Sequence, residues 1–190
     1  MAQTAAEQGK RARELLLTAA TQLIGDLGWT AVSTRLVAER AGVRPGVVHY
    51  HFPSMQALLR EAAMSAIGQM VDAVGPMLRQ APSTTDGVDA LLSMLDGFTG
   101  TDPESLLFSE TYLAATRDEH LRVALGALVE RFRADVSGWL HAHGHVDPDG
   151  TAVLLLAALD GFVLHKALNP GLSVETIRPA WHRLVATPGK

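Results

Sequence analysis

The chain has 190 residues, of which 47% are hydrophobic, and it contains no cysteine. Such a chain is long and apolar enough to bury the core of one or two small domains, which excludes a disordered protein; the missing cysteine excludes a disulfide framework and thiolate chemistry. The net charge of −4 does not by itself favour a nucleic acid as partner.

The charge differs between the two parts of the chain. Residues 1–54 contain six Lys and Arg against four Asp and Glu, whereas residues 55–190 contain ten against sixteen. A polyanion therefore attracts the N-terminal segment and repels the rest. Because the basicity is modest, we expect affinity for DNA to come from paired domains on a two-fold site, not from nonspecific coating.

The chain begins with a polar segment and a basic patch. Residues 1–9 are small and polar, and we expect them to form a mobile arm. Lys10, Arg11 and Arg13 follow at the start of the first helix, where they can reach a phosphate or the minor groove of DNA. A solvated helix start is an equally good interpretation of these charges.

The first helix has a clear apolar face. Apolar residues recur from Leu16 to Leu27 at intervals of three and four, which is typical of an amphipathic helix. Gly28 is expected to end this helix. Trp29 is expected to be a core residue that closes a three-helix domain.

The stretch STRLVAERAGVRPGVVHYHF, from Ser33 to Phe52, has the pattern of two short helices joined by a tight turn. Ser33 can cap the first helix, and Gly42 can take the left-handed conformation that the turn needs. Pro45 suits the first position of the second helix, while Val48 and Phe52 lie four apart and can face inward together. These are the parts of a helix-turn-helix DNA reader.

The side chains left outside that core suit phosphates and base edges. Arginine can bind guanine or phosphate, a valine methyl can meet the methyl of thymine, and a tyrosine hydroxyl can reach a phosphate. A surface helical hairpin with solvated side chains is the alternative, because helix-turn-helix patterns are short and degenerate. The predicted DNA-binding residues are Lys10, Ser33, Thr34, Arg35, Arg44, Pro45, Gly46, Val47, His49, Tyr50 and His51.

A long fourth helix leaves this unit. Ser54 is expected to cap it, and apolar residues at helical spacing continue it to about Leu78. Pro76 is expected to kink the helix or to shorten its end. Because the helix enters the second half of the chain, a tilt of its C-terminal part would move two DNA-reading helices apart.

The second half is predicted to be helical with short breaks and without the alternating pattern of strands. The helix over 151–168 is apolar almost all round, so we expect it to be buried, and its uninterrupted apolar run is too short to span a bilayer. The predicted helices cover about residues 88–98, 103–116, 118–140, 151–168 and 173–185.

An ordered set of short motifs runs from Lys10 to Leu59, about a quarter of the chain. It consists of Gly28-Trp29, Ser33, Arg35, Val37-Ala38, Ala41-Gly42-Val43, Pro45-Gly46, Tyr50-His51-Phe52-Pro53-Ser54 and Ala57-Leu58-Leu59. This set resembles the DNA-binding domain of the TetR family of transcriptional regulators. The resemblance implies a dimeric repressor whose C-terminal domain binds a small molecule and then releases DNA.

The helix pattern and the resemblance together predict an all-α protein. We expect an N-terminal three-helix helix-turn-helix domain over residues 1–54, and a C-terminal helical bundle over residues 55–190 that binds the effector and forms the dimer. No catalytic motif is evident, so we predict a regulator and not an enzyme, with neither a cofactor nor a metal. The N-terminus lacks a signal-peptide pattern, which favours the cytoplasm. Repressor is the default, since blocking a promoter requires only occupancy.

Two residues depart from the family pattern. Met55 stands where the family usually has a Lys that grips a phosphate, and Met cannot make a charged contact. His49 stands where the family often has Tyr. Because a protonated His adds charge, we hypothesise that operator affinity depends mildly on pH; a dissociation constant unchanged from pH 6 to pH 8 would remove the idea.

Dimerisation is assigned to the last two long helices. In families resembling this one, these helices of two chains form a four-helix bundle across a two-fold axis. A dimer would also let a weakly basic domain bind DNA, because two half-sites about one helical turn apart combine their energies. The alternative is that these helices complete the core of a single chain.

The effector site is predicted from bulky side chains on successive helices, most of which also suit an ordinary core. Pockets are mostly apolar with a few polar anchors, and the candidate anchors are Tyr112, Asp160 and His165. The apolar lining indicates an uncharged or lipophilic effector. The predicted effector-binding residues are Met64, Ile67, Phe98, Phe108, Tyr112, Trp139, Phe162 and His165.

Two other functions stay open. His141, His143 and His145 suggest a metal-responsive protein, but residues two apart on a helix do not face each other, and a cysteine or carboxylate framework is lacking. The second is a helical scaffold whose helix-turn-helix reads DNA weakly or not at all, and Met55 gives this idea some weight.

Overall fold

The computed structural model describes residues 5–186. Within this range the chain forms nine α-helices and a 3-10 turn and contains no strand, so the predicted all-α fold is confirmed. The helices are α1 Ala5–Leu27, α2 Thr34–Ala41, α3 Pro45–His51, α4 Met55–Gln80, α5 Thr84–Asp96, α6 Pro103–Ala115, α7 Glu119–Ala142, α8 Pro148–Leu168 and α9 Val174–Leu184, and the 3-10 turn is Trp29–Ala31.

The described residues pack into two compact units. The first contains the chain up to Ile67 together with Leu106–Val123, and the second contains Gly68–Ser105 together with the residues from Ala124 onward. Three helices, α4, α6 and α7, therefore contribute residues to both units. The predicted domains 1–54 and 55–190 concern function and stay a prediction; packing adds parts of α4, α6 and α7 to the N-terminal unit.

Helix α1 begins earlier than predicted. Residues 5–9 are helical, so the expected arm is wrong for them, and residues 1–4 lie outside the described range. Leu16 and Leu23 are buried as predicted, but Leu27 is 49% exposed. Leu27 is the last residue of α1, and the chain turns away at Gly28, whose φ is 83°.

Polar side chains cap the start of several helices. The Ser33 hydroxyl accepts from the Leu36 amide, the Asp118 carboxylate from the Leu121 amide and the Asp147 carboxylate from the Gly150 amide. Each cap satisfies a backbone donor that the first helical turn leaves unpaired. Ser54 caps α4 as predicted, and Asp102 and Ser173 cap two further helices.

Helix α4 continues past its proline. Pro76 was expected to kink the helix or shorten its end, yet α4 runs to Gln80. A proline removes one backbone donor from a helix. The last turn is nevertheless held in the core, because Val74 and Leu78 on either side of Pro76 are buried.

The second unit has one core built from α5, α7, α8 and α9, together with the end of α4. Trp139 of α7 lies against Gly87 of α5: a Cβ at Gly87 would lie only 2.1 Å from Cζ2 of the indole ring. This glycine lets the two helices approach closely.

Helix α8 is not buried as predicted. Leu155 and Phe162 point into the core, but Leu154, Leu164 and Leu168 are 57%, 51% and 87% exposed. Among the described helices α8 alone is long and apolar enough to cross a membrane. The core helix of a soluble protein can have the same length and composition. One chain therefore covers only one face of this apolar helix.

Candidate nucleic-acid interface

The turn between α2 and α3 is built as the sequence predicts. Gly42 has φ 68°, in the left-handed region, and the Val43 amide donates to the Ala38 carbonyl over 2.9 Å. Arg44 is extended, the conformation preferred before proline, and Pro45 opens α3. Local chemistry thus fixes where α3 starts relative to α2.

Helix α3 has an inner and an outer side. Val48 and Phe52, at the end of the helix, are buried, and α3 packs on α1 and α2. On the outer side Tyr50 is 83% exposed, and His49 beside it is also exposed. The two inner residues hold the helix while its outer side faces solvent.

The eleven predicted DNA-binding residues lie on α3, at the start of α2 and on the first turns of α1. Thr34, Val47 and His51 are half-buried. The other eight are exposed: Lys10, Ser33, Arg35, Arg44, Pro45, Gly46, His49 and Tyr50.

The arginines of this unit fall into two groups. Arg35 and Arg44 are exposed and have no ion-pair partner in the part of the chain that the structure describes. Arg40, by contrast, donates to Asp26 over 2.9 Å. Arg35 and Arg44 are therefore cations available to an external phosphate or base.

The side chains of the predicted basic patch on α1 differ in their contacts. Arg13 donates to Glu61 over 2.6 Å, and its guanidinium lies 5.0 Å above the centre of the Phe52 ring. Arg13 is therefore engaged by an acid and an aromatic ring of its own unit, and its place in a DNA-facing patch stays a prediction. Lys10, exposed and 3.9 Å from Glu14, keeps its position at the surface.

The two departures from the family pattern have clear positions. Met55 is the first residue of α4 and is half-buried. The helix start is capped by Ser54, whose hydroxyl accepts from the Ala57 amide over 3.1 Å. His49 is exposed on the outer side of α3. Met55 therefore supplies no charge at a helix start where the family usually has one.

Several hydrogen bonds that hold the N-terminal unit together were not predicted from the sequence. The Trp29 amide donates to the Glu110 carboxylate over 2.8 Å, and the Trp29 indole donates to Gln56 over 3.1 Å. Arg60 and Asp118 form a further pair at 2.8 Å. The two residues of each pair are far apart in the sequence, so a local sequence pattern cannot predict these contacts.

The predicted effector-binding residues divide between the two units. The first unit contains Met64, Ile67, Phe108 and Tyr112, and the second contains Phe98, Trp139, Phe162 and His165. Ile67, Trp139 and Phe162 are buried, Tyr112 and His165 are exposed, and Met64, Phe98 and Phe108 are half-buried.

Two polar groups in the second unit lack partners among the described residues. The Trp139 indole Nε1 is buried without a hydrogen-bond acceptor. Asp160, a candidate anchor, is half-buried, and burial raises the pKa of its carboxyl to about 6. Burying such a group without a polar partner normally costs folding free energy, and a polar partner removes that cost.

A surface groove of about 800 Å³ lies between α7 and α8. Small residues line it, including Ala134, Gly138 and Gly150, together with Arg133 and Asp149. It is next to the exposed apolar side of α8, since Val153 lines the groove and is also exposed.

The histidine run closes α7 through backbone contacts. His143 Nδ1 lies 2.9 Å from the Trp139 carbonyl, and His145 Nε2 lies 3.1 Å from the Leu184 carbonyl. Within residues 5–186 no group of three or more potential ligands is arranged to hold a metal ion. The geometry of the run therefore gives no support to a metal site.

Two family descriptions match the chain. "Bacterial regulatory proteins, tetR family" matches residues 16–62, and "Tetracyclin repressor-like, C-terminal domain" matches residues 82–187. The two matches together leave only short segments of the chain unassigned.

Individual proteins are similar over most of the chain. The HTH-type transcriptional regulator BetI of Rhizobium meliloti is 28% identical over 166 residues, 86% of this chain and 82% of that protein. The structure of SCO7518 from Streptomyces coelicolor A3(2) has a TM-score of 0.76 and 29% identity, covering 93% of this chain and 99% of that one. The multidrug binding protein EbrR, solved with imidazole, has a TM-score of 0.71 and 26% identity over the whole of both chains.

Proposed function

Because the chain belongs to the TetR family of DNA-binding transcriptional regulators, we propose that it is a dimeric repressor that binds a palindromic operator and is released by a small, apolar effector. That the chain is a transcriptional regulator and not an enzyme agrees with the prediction from sequence. The observation that carries the proposal is the exposed tyrosine on the outer side of α3, together with an exposed cation directly before the helix that has no partner among the described residues.

DNA contact is assigned to α3 and to the start of α2. Arg44 precedes α3 and suits a guanine edge or a phosphate, because its guanidinium has no partner among the described residues. Tyr50, 83% exposed, presents its hydroxyl to a phosphate. Arg35, in the first turn of α2, supplies a second free cation. A protein that makes such contacts with DNA is expected in the cytoplasm.

The dimer is assigned to the last two long helices, α7 and α8. Leu154, Leu164 and Leu168 share one exposed side of α8 with two small residues, Ala157 and Gly161, and a Cβ at Gly161 would meet nothing within 4 Å. Exposed leucines at helical spacing favour burial by a partner, and small residues between them allow close approach. The adjacent groove between α7 and α8 extends the same surface.

The operator is expected to be a palindrome. Two identical reading helices related by a two-fold axis require two half-sites in inverted orientation. The N-terminal 54 residues carry only two more basic than acidic side chains, so one copy has limited attraction for DNA. Two copies add their contacts, which makes the pair the functional reader.

The effector is expected to be small and largely apolar. Buried or half-buried aromatic side chains in the second unit, Phe98, Trp139 and Phe162, offer apolar surface. EbrR is a multidrug binding protein, and its likeness to this chain supports an organic small molecule as the effector class. The Trp139 indole and the Asp160 carboxylate are the polar groups suited to anchor it.

The proposal is tested by selecting random duplex DNA on the purified protein at physiological salt and sequencing the bound fraction. We expect a palindrome with half-sites about ten base pairs apart. A folded, dimeric protein that enriches no sequence would contradict it and favour a scaffold, with Met55 as the first residue to replace.

A further inference from the structure

A carboxylate from α6 caps the turn that precedes the helix-turn-helix. The Trp29 amide donates to Oε2 of Glu110 over 2.8 Å, which joins residues 81 apart in the chain. Trp29 opens the 3-10 turn, and Gly28 before it has no side chain with which to cap that turn. Glu110 therefore does from a distance what an N-cap residue does locally.

The carboxylate fits closely around a glycine. Gly28 has φ 83°, and a Cβ added there would lie 3.3 Å from both carboxylate oxygens of Glu110. A side chain at residue 28 would be strained in its backbone and would also press on the carboxylate. Gly28 thus provides both the turn conformation and the room in which Glu110 reaches the amide.

Trp29 is held at two points by two helices. Its amide is bound by Glu110 of α6, and its indole donates to Gln56 of α4 over 3.1 Å. The side chain itself is buried. Only four residues lie between Trp29 and Thr34, where α2 begins, so the position of Trp29 limits where α2, and with it α3, can lie.

Helix α6 contributes residues to both compact units, and Glu110 lies in the part that packs with the N-terminal unit. We propose that Glu110 is the positioning residue through which α6 holds the helix-turn-helix in the orientation that binds DNA. This inference rests on the proposed assignment of α3 as the reading helix. The carboxylate does not touch DNA; it fixes the turn from which the reading helices extend.

The test compares Glu110→Ala and Glu110→Gln with the parent protein on the selected operator. We expect Glu110→Ala to bind about tenfold more weakly, within the range typical of coupling between sites. Glu110→Gln should recover most of the affinity, because its amide oxygen can still accept from Trp29. The matched control is Glu104→Ala, an exposed acid in the first turn of the same helix, which should bind like the parent.

Hydrogen exchange at the Trp29 amide, read by NMR, separates positioning from plain stabilisation. Faster exchange in Glu110→Ala together with weaker operator binding, at a temperature where circular dichroism shows a folded protein, supports the proposal. Faster exchange with unchanged operator affinity would overturn it. If Glu110→Ala does not fold, Glu110→Asp, whose carboxylate is one methylene shorter, takes its place with the same expected results.

Arg44→Ala is measured in parallel to keep the two proposals apart. If Arg44→Ala weakens operator binding and neither Glu110→Ala nor Glu110→Asp does, α3 reads DNA but Glu110 does not position it. If the parent protein itself selects no operator, the proposed function and this inference both fall.

Discussion

Arg44 and Tyr50 are the residues on which sequence reading by this protein should depend most. Both are exposed, and Arg44 has no ion-pair partner in the described part of the chain. A guanidinium without an ion-pair partner can bind DNA without first breaking another contact. Arg13 and Arg40, by contrast, would have to break their contacts with Glu61 and Asp26. The unpaired residues are therefore the ones to replace first.

Arg44→Ala should weaken operator binding by about 1–3 kcal/mol, the usual value of one specific arginine contact. Tyr50→Phe should weaken it by less, because it removes only a hydroxyl. Fluorescence anisotropy on the selected duplex measures both. The control is Arg79→Ala, another exposed arginine without an ion pair in the described range, on α4. Parent-like affinity in both Arg44→Ala and Tyr50→Phe would show that a different surface binds DNA.

Asp160 should make folding stability depend on pH in the opposite direction to an ordinary ion-paired carboxylate. Burial raises the pKa of its carboxyl to about 6, above the ordinary value of 3.8. The folded chain then holds a proton that the unfolded chain has lost, so stability falls as pH rises from about 4 to 6 and stays lower above.

Asp160→Asn should therefore raise the free energy of unfolding at pH 7.5 by up to about 2 kcal/mol, and change it little at pH 4. Urea unfolding at the two pH values measures this difference. Asp96→Asn, at an exposed carboxylate at the end of α5 without an ion pair in the described range, is the control for a change of charge alone. An equal effect of Asp160→Asn at both pH values would show that the buried carboxylate is not the cause.

At the scale of a helix, α8 shows the largest mismatch between its composition and its surroundings. It is apolar almost all round, yet one side of it, with Leu154, Leu164 and Leu168, is exposed in the single chain. An apolar surface of this kind is expected to be covered by another molecule. A second copy is the occupant that the proposed two-fold reader requires.

Leu164→Glu should shift the protein from dimer to monomer, because a charge would be buried at the interface without a partner. Sedimentation velocity should show a dimer dissociation constant at least tenfold higher, on the order of 1.4 kcal/mol. Leu113→Glu on α6 is the matched control, since Leu113 is 52% exposed and Leu164 51%. Equal sedimentation of both variants with the parent would place the dimer surface elsewhere.

The helices, and those of their ends at which a local cap or turn acts, could be predicted because local chemistry decides them. Ser33, Gly42 and Ser54 act within a few residues of themselves, and each has the predicted conformation or hydrogen bond. The exposed side of α8 could not be predicted, since an all-round apolar pattern does not say whether the same chain or another covers a helix.

The exposed residues of the candidate site could be predicted from the sequence, but the long-range contacts that hold the site in place could not. The motif set put Arg44 and Tyr50 on or beside α3, and the structure has Arg44 directly before the helix and Tyr50 on it, both exposed. The contacts of Arg13 with Glu61 and of Trp29 with Glu110 join residues 48 and 81 apart. No local spacing encodes such pairs, because they depend on which helices meet after folding.

At the scale of the whole molecule, the distribution of charge and the proposed two-fold symmetry both determine how the protein binds DNA. The basic excess is confined to residues 1–54, and the remaining 136 residues carry a net charge of −6. The acidic part is repelled by DNA, which leaves only the N-terminal reading surface favourable for contact. Since that surface is only weakly basic, strong binding requires two of them.

The most direct test of the account is whether two copies read one operator together. Affinity and bound mass are measured, at physiological salt, on the selected palindrome and on the same duplex with one half-site scrambled. The account predicts two chains on the intact palindrome and binding about a hundredfold weaker to the single half-site, as paired binding implies. Equal affinity for the two duplexes, with one chain bound to each, would contradict it.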